Sequence, residues 1–144
     1  MIRKLVVAVL GLSALSAMAQ MTPVGVWRTI DDKDGSAKSE IRIVENNGVI
    51  SGTIDKVLDP KAKPDEKCVE CKDDRKDQPM LGLELIRGLK KAEGKDLWEG
   101  GTIVEPATGK VYKMTMTPIE GGKKIEMRGY IGFFYRTQIW IRVQ

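Results

Sequence analysis

Two cysteines and no histidine set the chemistry open to this 144-residue chain. Cys68-Val69-Glu70-Cys71 is a CxxC pair, and three chemistries use that spacing. A disulfide closing so short a loop stabilises by only about 2 kcal/mol in the chain-entropy picture, enough to stiffen a segment but not to hold up a core. A redox-active dithiol is placed at a helix N-terminus or beside cations that favour the thiolate. Here Glu66, Glu70, Asp73 and Asp74 surround the pair instead, and negative charge raises a thiol pKa. Zinc takes about four ligands, and two cysteines without histidine fall short. The spacing therefore favours a structural disulfide between Cys68 and Cys71, with no metal and no cofactor. Lack of histidine also removes the Ser-His-Asp triad, the Cys-His pair and His-bound zinc or haem. Most acidic residues fall in turns or in one charged segment, so no two are set across an apolar cleft for glycosidase-like work. The chain does not read as an enzyme.

Binding chemistry is easier to place. Arg128-Gly129-Tyr130 sets a guanidinium and a phenol two residues apart, hence on one face of a strand. Such a pair can hold a carboxylate by charge-assisted hydrogen bonds. The same alternation carries the opposite reading: if the apolar face of Ile125, Met127 and Gly129 points inward, Arg128 points out. Tyr112, Met114 and Met116 share a face that either lines a pocket, since Met adapts to irregular guests, or is simply core. Seven of the eight aromatic residues lie from Trp98 onward, so the second half carries most of any aromatic wall. The candidate ligand-binding residues are Trp98, Tyr112, Met114, Met116, Arg128 and Tyr130. Phe134, Arg136, Gln138, Trp140 and Arg142 share a face of the last strand, with Arg136 read as a solvated outer residue.

The elements that must carry these residues are strands. Ile41 and Ile43 alternate with Glu40 and Arg42, the period of a half-buried strand. Asn46-Asn47-Gly48 is a hairpin signal, and Ile50, Gly52 and Ile54 line the returning strand. Residues 56–78 differ, with seven charges of each sign and two prolines. That composition has little apolar surface to set against its ordering entropy, so residues 56–80 read as a long surface loop carrying the CxxC. Strand character returns at Pro79, although Leu81–Leu89 also fits a short helix. Gly100-Gly101 marks a bulge or a close approach within the next strand. Turns at Glu105–Gly109 and Glu120–Lys123 separate the strands that follow. Turn signals at such regular intervals indicate an all-β fold, a single antiparallel up-and-down barrel of about eight strands.

In such a barrel the first and last strands are neighbours. Gly25-Val26-Trp27 opens the first, and Trp140-Ile141-Arg142 closes the last. Trp27 is then expected to plug one end with Arg142 stacked on an indole, which makes Gly25, Trp27, Trp140 and Arg142 closure residues rather than ligand contacts. The pairing resembles that of lipocalin and other calycin barrels, which carry a Gly-x-Trp near the start and a basic residue near the end. A longer series of motifs spans residues 22–142. It runs through Pro23-Val24-Gly25-Val26-Trp27, Gly52-Thr53-Ile54, Cys68-Val69-Glu70-Cys71 and Gln78-Pro79-Met80-Leu81-Gly82-Leu83. It continues with Trp98-Glu99-Gly100-Gly101-Thr102-Ile103, the Pro106, Gly109 and Tyr112 spacing, Arg128-Gly129-Tyr130-Ile131-Gly132 and Arg136-Thr137-Gln138-Ile139-Trp140-Ile141-Arg142. In these motifs the chain resembles a family of small exported bacterial proteins of unknown function with a lipocalin-like barrel. Glu105 stands where that family favours Asp, and Tyr135 where it favours Gly. The resemblance implies a fold and a compartment, not a reaction.

The N-terminus carries the same compartment. Arg3 and Lys4 precede an apolar run from Leu5 to Ala17, and Ala17-Met18-Ala19 fits a signal-peptidase site. Residues 1–19 read as a cleaved secretory signal, since the run is short of the ~20 apolar residues of a bilayer span. Residues 20–144 form the working domain, periplasmic or secreted, where disulfides persist. Loss of Arg3 and Lys4 leaves it nearly neutral, without the basic footprint of a nucleic-acid binder. The expected function is non-catalytic binding of a small amphipathic or hydrophobic molecule inside the barrel. The alternatives are a filled barrel serving as a structural or interaction module, and a thiol-disulfide redox protein. The sequence does not define an oligomeric state.

Overall fold

A computed structural model describes residues 21–144; the export signal read over residues 1–19 lies outside them. Eight strands follow one another in the chain: β1 (Gly25–Ile30), β2 (Ala37–Asn46), β3 (Val49–Val57), β4 (Glu84–Lys91), β5 (Trp98–Glu105), β6 (Lys110–Ile119), β7 (Lys124–Ile131) and β8 (Phe134–Arg142). Each pairs antiparallel with the next, and β1 pairs with β8, so the sheet is a closed up-and-down barrel. Every strand thus has a neighbour on each side, although β8 meets β1 only near its own C-terminal end. The expected all-β barrel of about eight strands is the observed fold.

Closure rests on a short seam, Trp27 opposite Arg142 and Arg28 opposite Ile141. Trp27 is fully buried and donates its indole N–H to the Pro23 carbonyl at 2.7 Å. The Arg142 guanidinium lies over that indole, 4.2 Å from the ring centroid. Its nitrogens donate to the carbonyls of Gly122 (2.6 Å), Val24 (2.7 Å) and Thr22 (2.6 Å). One planar cation thus satisfies three acceptors from two chain segments at this end. Burial lowers the Arg142 pKa from its ordinary value. Ile41, Ile43, Ile50, Leu89, Met116 and Ile125 fill the space above Trp27.

The other end is organised by the chain between β3 and β4, residues 58–83, slightly displaced from the expected 56–80. Pro79–Leu83 does not form strand: Pro79 makes a single bridge with Lys67, and the Leu83 N–H turns back to the Met80 carbonyl at 3.1 Å. The Gly82 and Leu83 amide units are bonded to Ile54, so the chain enters β4 only at Glu84. The short-helix alternative for Leu81–Leu89 is not what forms. A bulge does interrupt β5 between Trp98 and Gly101, at the glycine pair that signalled it.

Substituting Arg142→Ala is expected to lower unfolding free energy by about 3 kcal/mol, from the lost stacking and the buried carbonyls left without donors. Arg142→Lys should recover only part, because an ammonium cannot reach three acceptors in one plane. Denaturant titration followed by tryptophan fluorescence checks both.

Candidate ligand cavity and its rim

Away from the Trp27 end the barrel is hollow. A cavity of about 790 Å³ occupies the half of the lumen toward the β7–β8 turn and opens to solvent there. Its deep wall is apolar: Ile54 of β3, Leu85 of β4, Ile103 of β5, Tyr112 of β6, Met127 of β7 and Trp140 of β8. Gly129 also lines it, and a Cβ there would come no closer than 3.7 Å to its neighbour Tyr112. The missing side chain is therefore space belonging to the cavity. Gly52 of β3 adds no such room, because a Cβ there would press on Ile86 and Ile41 at 3.1 and 3.2 Å.

Polar groups lie nearer the mouth. The Thr29 and Ser39 hydroxyls, opposite each other on β1 and β2, are 2.8 Å apart. Gln138 accepts the Trp140 indole N–H at 3.1 Å, which leaves its amino group as a donor in the cavity wall. Arg136, one step nearer the rim, donates through Nε and Nη2 to Asp32 at 2.9 and 2.7 Å. Lys38, Asp59 and Glu66 complete a mixed-charge rim.

Period-two geometry decides which expected site residues meet here. On β7 the register places Met127 opposite Gln138 and Gly129 opposite Arg136. That face points into the lumen, so Arg128 and Tyr130 lie on the outside. There Arg128 sits 3.0 Å from Glu126 and 4.7 Å from the Tyr135 ring centroid. The Tyr130 hydroxyl, with Glu126 adding to it, pushes its pKa up. The guanidinium–phenol pair exists but faces solvent, because the carboxylate reading needed the opposite parity. Tyr112 lines the cavity. Met114 and Met116 are buried with Trp98 in the core cluster below it. Arg136, read as an outer residue, is instead on the lumen side. The signal was present: Arg142 and Trp140 were assigned to closure, and Gln138 and Arg136 follow at the same parity on one strand.

The cysteines are paired as a disulfide, and both are about 1 % exposed. They pack against the barrel near the turn that joins β5 to β6. A Cβ at Gly109, whose φ is +73°, would overlap the Glu70 carbonyl, so only glycine lets loop and turn approach this closely. Backbone bonds from Cys68 N–H to Gln78 O and from Asp77 N–H to Cys68 O, 2.8 and 2.9 Å, fold the loop on itself. Arg75 is buried, forked onto Asp73 at 2.6 Å and bonded through Nη1 to the Glu84 carbonyl at 3.0 Å. Arg87 holds Asp74 at 2.8 Å through both terminal nitrogens. Hydrogen bonds from Arg75 hold the Asp73 carboxyl well below its usual range, and those from Arg87 lower Asp74. Attack on a disulfide sulfur needs access, and these sulfurs are covered. The arrangement is that of a brace on the cavity's rim.

A family model described as "uncharacterized protein conserved in bacteria (DUF2147)" matches residues 25–142. No curated protein matches. Among solved structures the chain is similar to protein HP1028 from Helicobacter pylori, described as belonging to the lipocalin family. The TM-score is 0.70 at 18% identity, covering 84% of this chain and 82% of that one. At that identity the likeness establishes a common fold.

Two outcomes follow from the brace. Replacing both cysteines by serine should cost about 2 kcal/mol while the barrel still folds, measured by denaturant unfolding with and without reductant. Asp73 and Asp74 have folded pKa values below their ordinary 3.8, so the stability they add is full above that value. It is lost as pH falls through the folded values, where the unfolded chain is already protonated. Thermal midpoints should decline as the pH is taken below 3.8, and Asp73→Asn should flatten that decline.

Proposed function

The chain belongs to DUF2147, and because that family's description names no reaction, we propose a function from the cavity: an exported, non-catalytic barrel that carries a small amphipathic or hydrophobic molecule. The observation that carries this reading is the half-empty lumen. A cavity of about 790 Å³ with an apolar floor and a polar mouth matches the usual form of small-molecule sites, which are mostly apolar with a few placed polar groups. Eight-stranded barrels have interiors that either fill with side chains or hold one ligand. This one does the first at the Trp27 end and has room for the second at the other.

The binding residues in this proposal are Tyr112, Met127, Gly129 and Trp140 around an apolar tail, with Gln138 and Arg136 near a polar or anionic head. Arg136 already bonds an aspartate, and a ligand carboxylate would take the place of Asp32 without leaving a buried charge, because both groups are at the solvent edge. Export through residues 1–19 belongs to the same proposal. It is supported by the N-terminal pattern and by a disulfide, a bond that persists outside the cytoplasm. Mass spectrometry of the protein recovered from an intact bacterial envelope tests it: a chain beginning at Gln20 is expected, and one retaining Met1 in the cytoplasm contradicts it.

Gly129→Leu places a side chain in the cavity at a position where a Cβ meets only ordinary van der Waals contacts. It should weaken binding of a fluorescent long-chain fatty acid by roughly tenfold or more while thermal stability holds. Equal binding by both proteins would exclude the lumen as the site. Arg136→Ala should weaken the fatty acid more than the matching uncharged alcohol.

A further inference from the structure

The turn joining β7 to β8 breaks the usual rule for turns. Ile131 pairs with Phe134 across it, so Gly132 and Phe133 are its two central residues. Gly132 has φ +55°, which suits the first position of a primed hairpin turn. Nothing in the turn requires phenylalanine second, where polar residues normally stand. Phe133 is 102% exposed, Phe134 81%, Ile131 59% and Tyr135 57%. Four consecutive large apolar or aromatic side chains, interrupted only by Gly132, thus stand in water at one tip. The core cluster contains none of them, and the Tyr135 ring meets Arg128 and Tyr130 on the barrel's outer face.

Position gives the tip a meaning. Ile131, Phe134 and Tyr135 are also lining residues of the cavity, so the exposed aromatic surface is continuous with its mouth. Lys110 and Lys113 of β6 share a surface groove with Tyr130, Ile131 and Gly132 beside the tip. Neither lysine has an ion-pair partner among the described residues. Glu105, opposite Lys110 in register, accepts a hydrogen bond from Thr108 at 2.8 Å. The acidic rim residues Asp31, Asp59 and Glu66 come from the β1–β2 connection and the long loop, not from this hairpin.

We propose that the β7–β8 tip docks the barrel mouth onto a phospholipid bilayer bearing anionic headgroups. Phe133 and Phe134 enter the interface, Tyr135 stays at headgroup level, and Lys110 and Lys113 meet lipid phosphate. Aromatic side chains favour that interface, and basic residues nearby add attraction to anionic lipid that salt weakens. The chemistry of the patch, aromatic at the apex and cationic behind it, fits a lipid surface better than a second copy of the chain, whose tip would bring the same positive charge. The proposal deepens the carrier reading and rests on it for one point only: docked this way, an amphiphile passes between bilayer and cavity without crossing open water.

Sedimentation with sucrose-loaded vesicles tests it, using phosphatidylethanolamine with phosphatidylglycerol against phosphatidylcholine alone. The protein should pellet with the anionic vesicles, less so as salt rises. Phe133→Ser should lower the partition coefficient by roughly tenfold. Phe133 does not line the cavity, so fatty-acid binding in vesicle-free buffer should be unchanged. Lys110→Glu with Lys113→Glu should abolish the preference for anionic vesicles. No pelleting, or equal pelleting of wild type and Phe133→Ser, overturns the proposal. So does a dimer, seen by analytical ultracentrifugation, that Phe133→Ser disperses without changing vesicle binding. Vesicle binding without fatty-acid uptake leaves docking standing and removes the carrier reading; uptake without vesicle binding does the reverse.

Discussion

The stacking of Arg142 on Trp27 is the contact on which this architecture turns. A barrel of eight consecutive antiparallel strands closes only if the last finds the first, and here the seam is two residue pairs long, continued by backbone bonds between Val26 and the residues Val143 and Gln144. So short a ladder would be weak by its backbone bonds alone. The guanidinium reinforces it by covering the indole and bonding carbonyls of Thr22, Val24 and Gly122. The segment before β1, the turn before β7 and the end of β8 are thereby tied at one point. Gly25 belongs to the same device, since a Cβ there would overlap the Gln144 carbonyl and crowd the Arg142 guanidinium.

Sealing one end makes the molecule asymmetric. Bulky aliphatic and sulfur side chains fill the lumen above Trp27, while Gly129 and the short Thr29 and Ser39 side chains leave the other half open. The long charged loop is part of this division. It lies at the open end, yet it is pinned by the buried disulfide, by Arg75 and by the close approach at Gly109. Its ordering comes from specific bonds rather than from apolar burial, in keeping with its composition. A mouth bounded by a braced loop on one side and an exposed aromatic hairpin on the other has a fixed wall and a contact wall.

Much of this was legible in residue order. Alternation and turn chemistry carried the strand count, and Gly25, Trp27 and Arg142 carried closure, because these signals are local or tied to the chain ends. What resisted was parity. Arg128 and Tyr130 look like a ligand clamp until Met127 and Gly129 are known to face inward. A shift of one residue exchanges every lumen residue for a surface one. Arg136 shows the same limit: it shares the inward phase of Gln138, Trp140 and Arg142 on its own strand, yet its side chain reaches solvent at the rim, where it bonds Asp32. The onset of β4 was missed at Pro79–Leu83 because alternating leucines there are held in turns by bonds to Ile54 and Met80, partners that periodicity cannot supply. The hollow itself was not legible, since it depends on how far each inward side chain reaches.

The central claim is that the lumen beside Trp140 and Met127 receives a guest. A crystal structure of the protein grown with a long-chain carboxylic acid brominated at its tail tests it most directly. Anomalous bromine density is expected inside the barrel between Tyr112, Met127 and Trp140, with the carboxylate toward Arg136. Bromine found only outside the barrel, with ordered water or side chains occupying that space, would contradict the account.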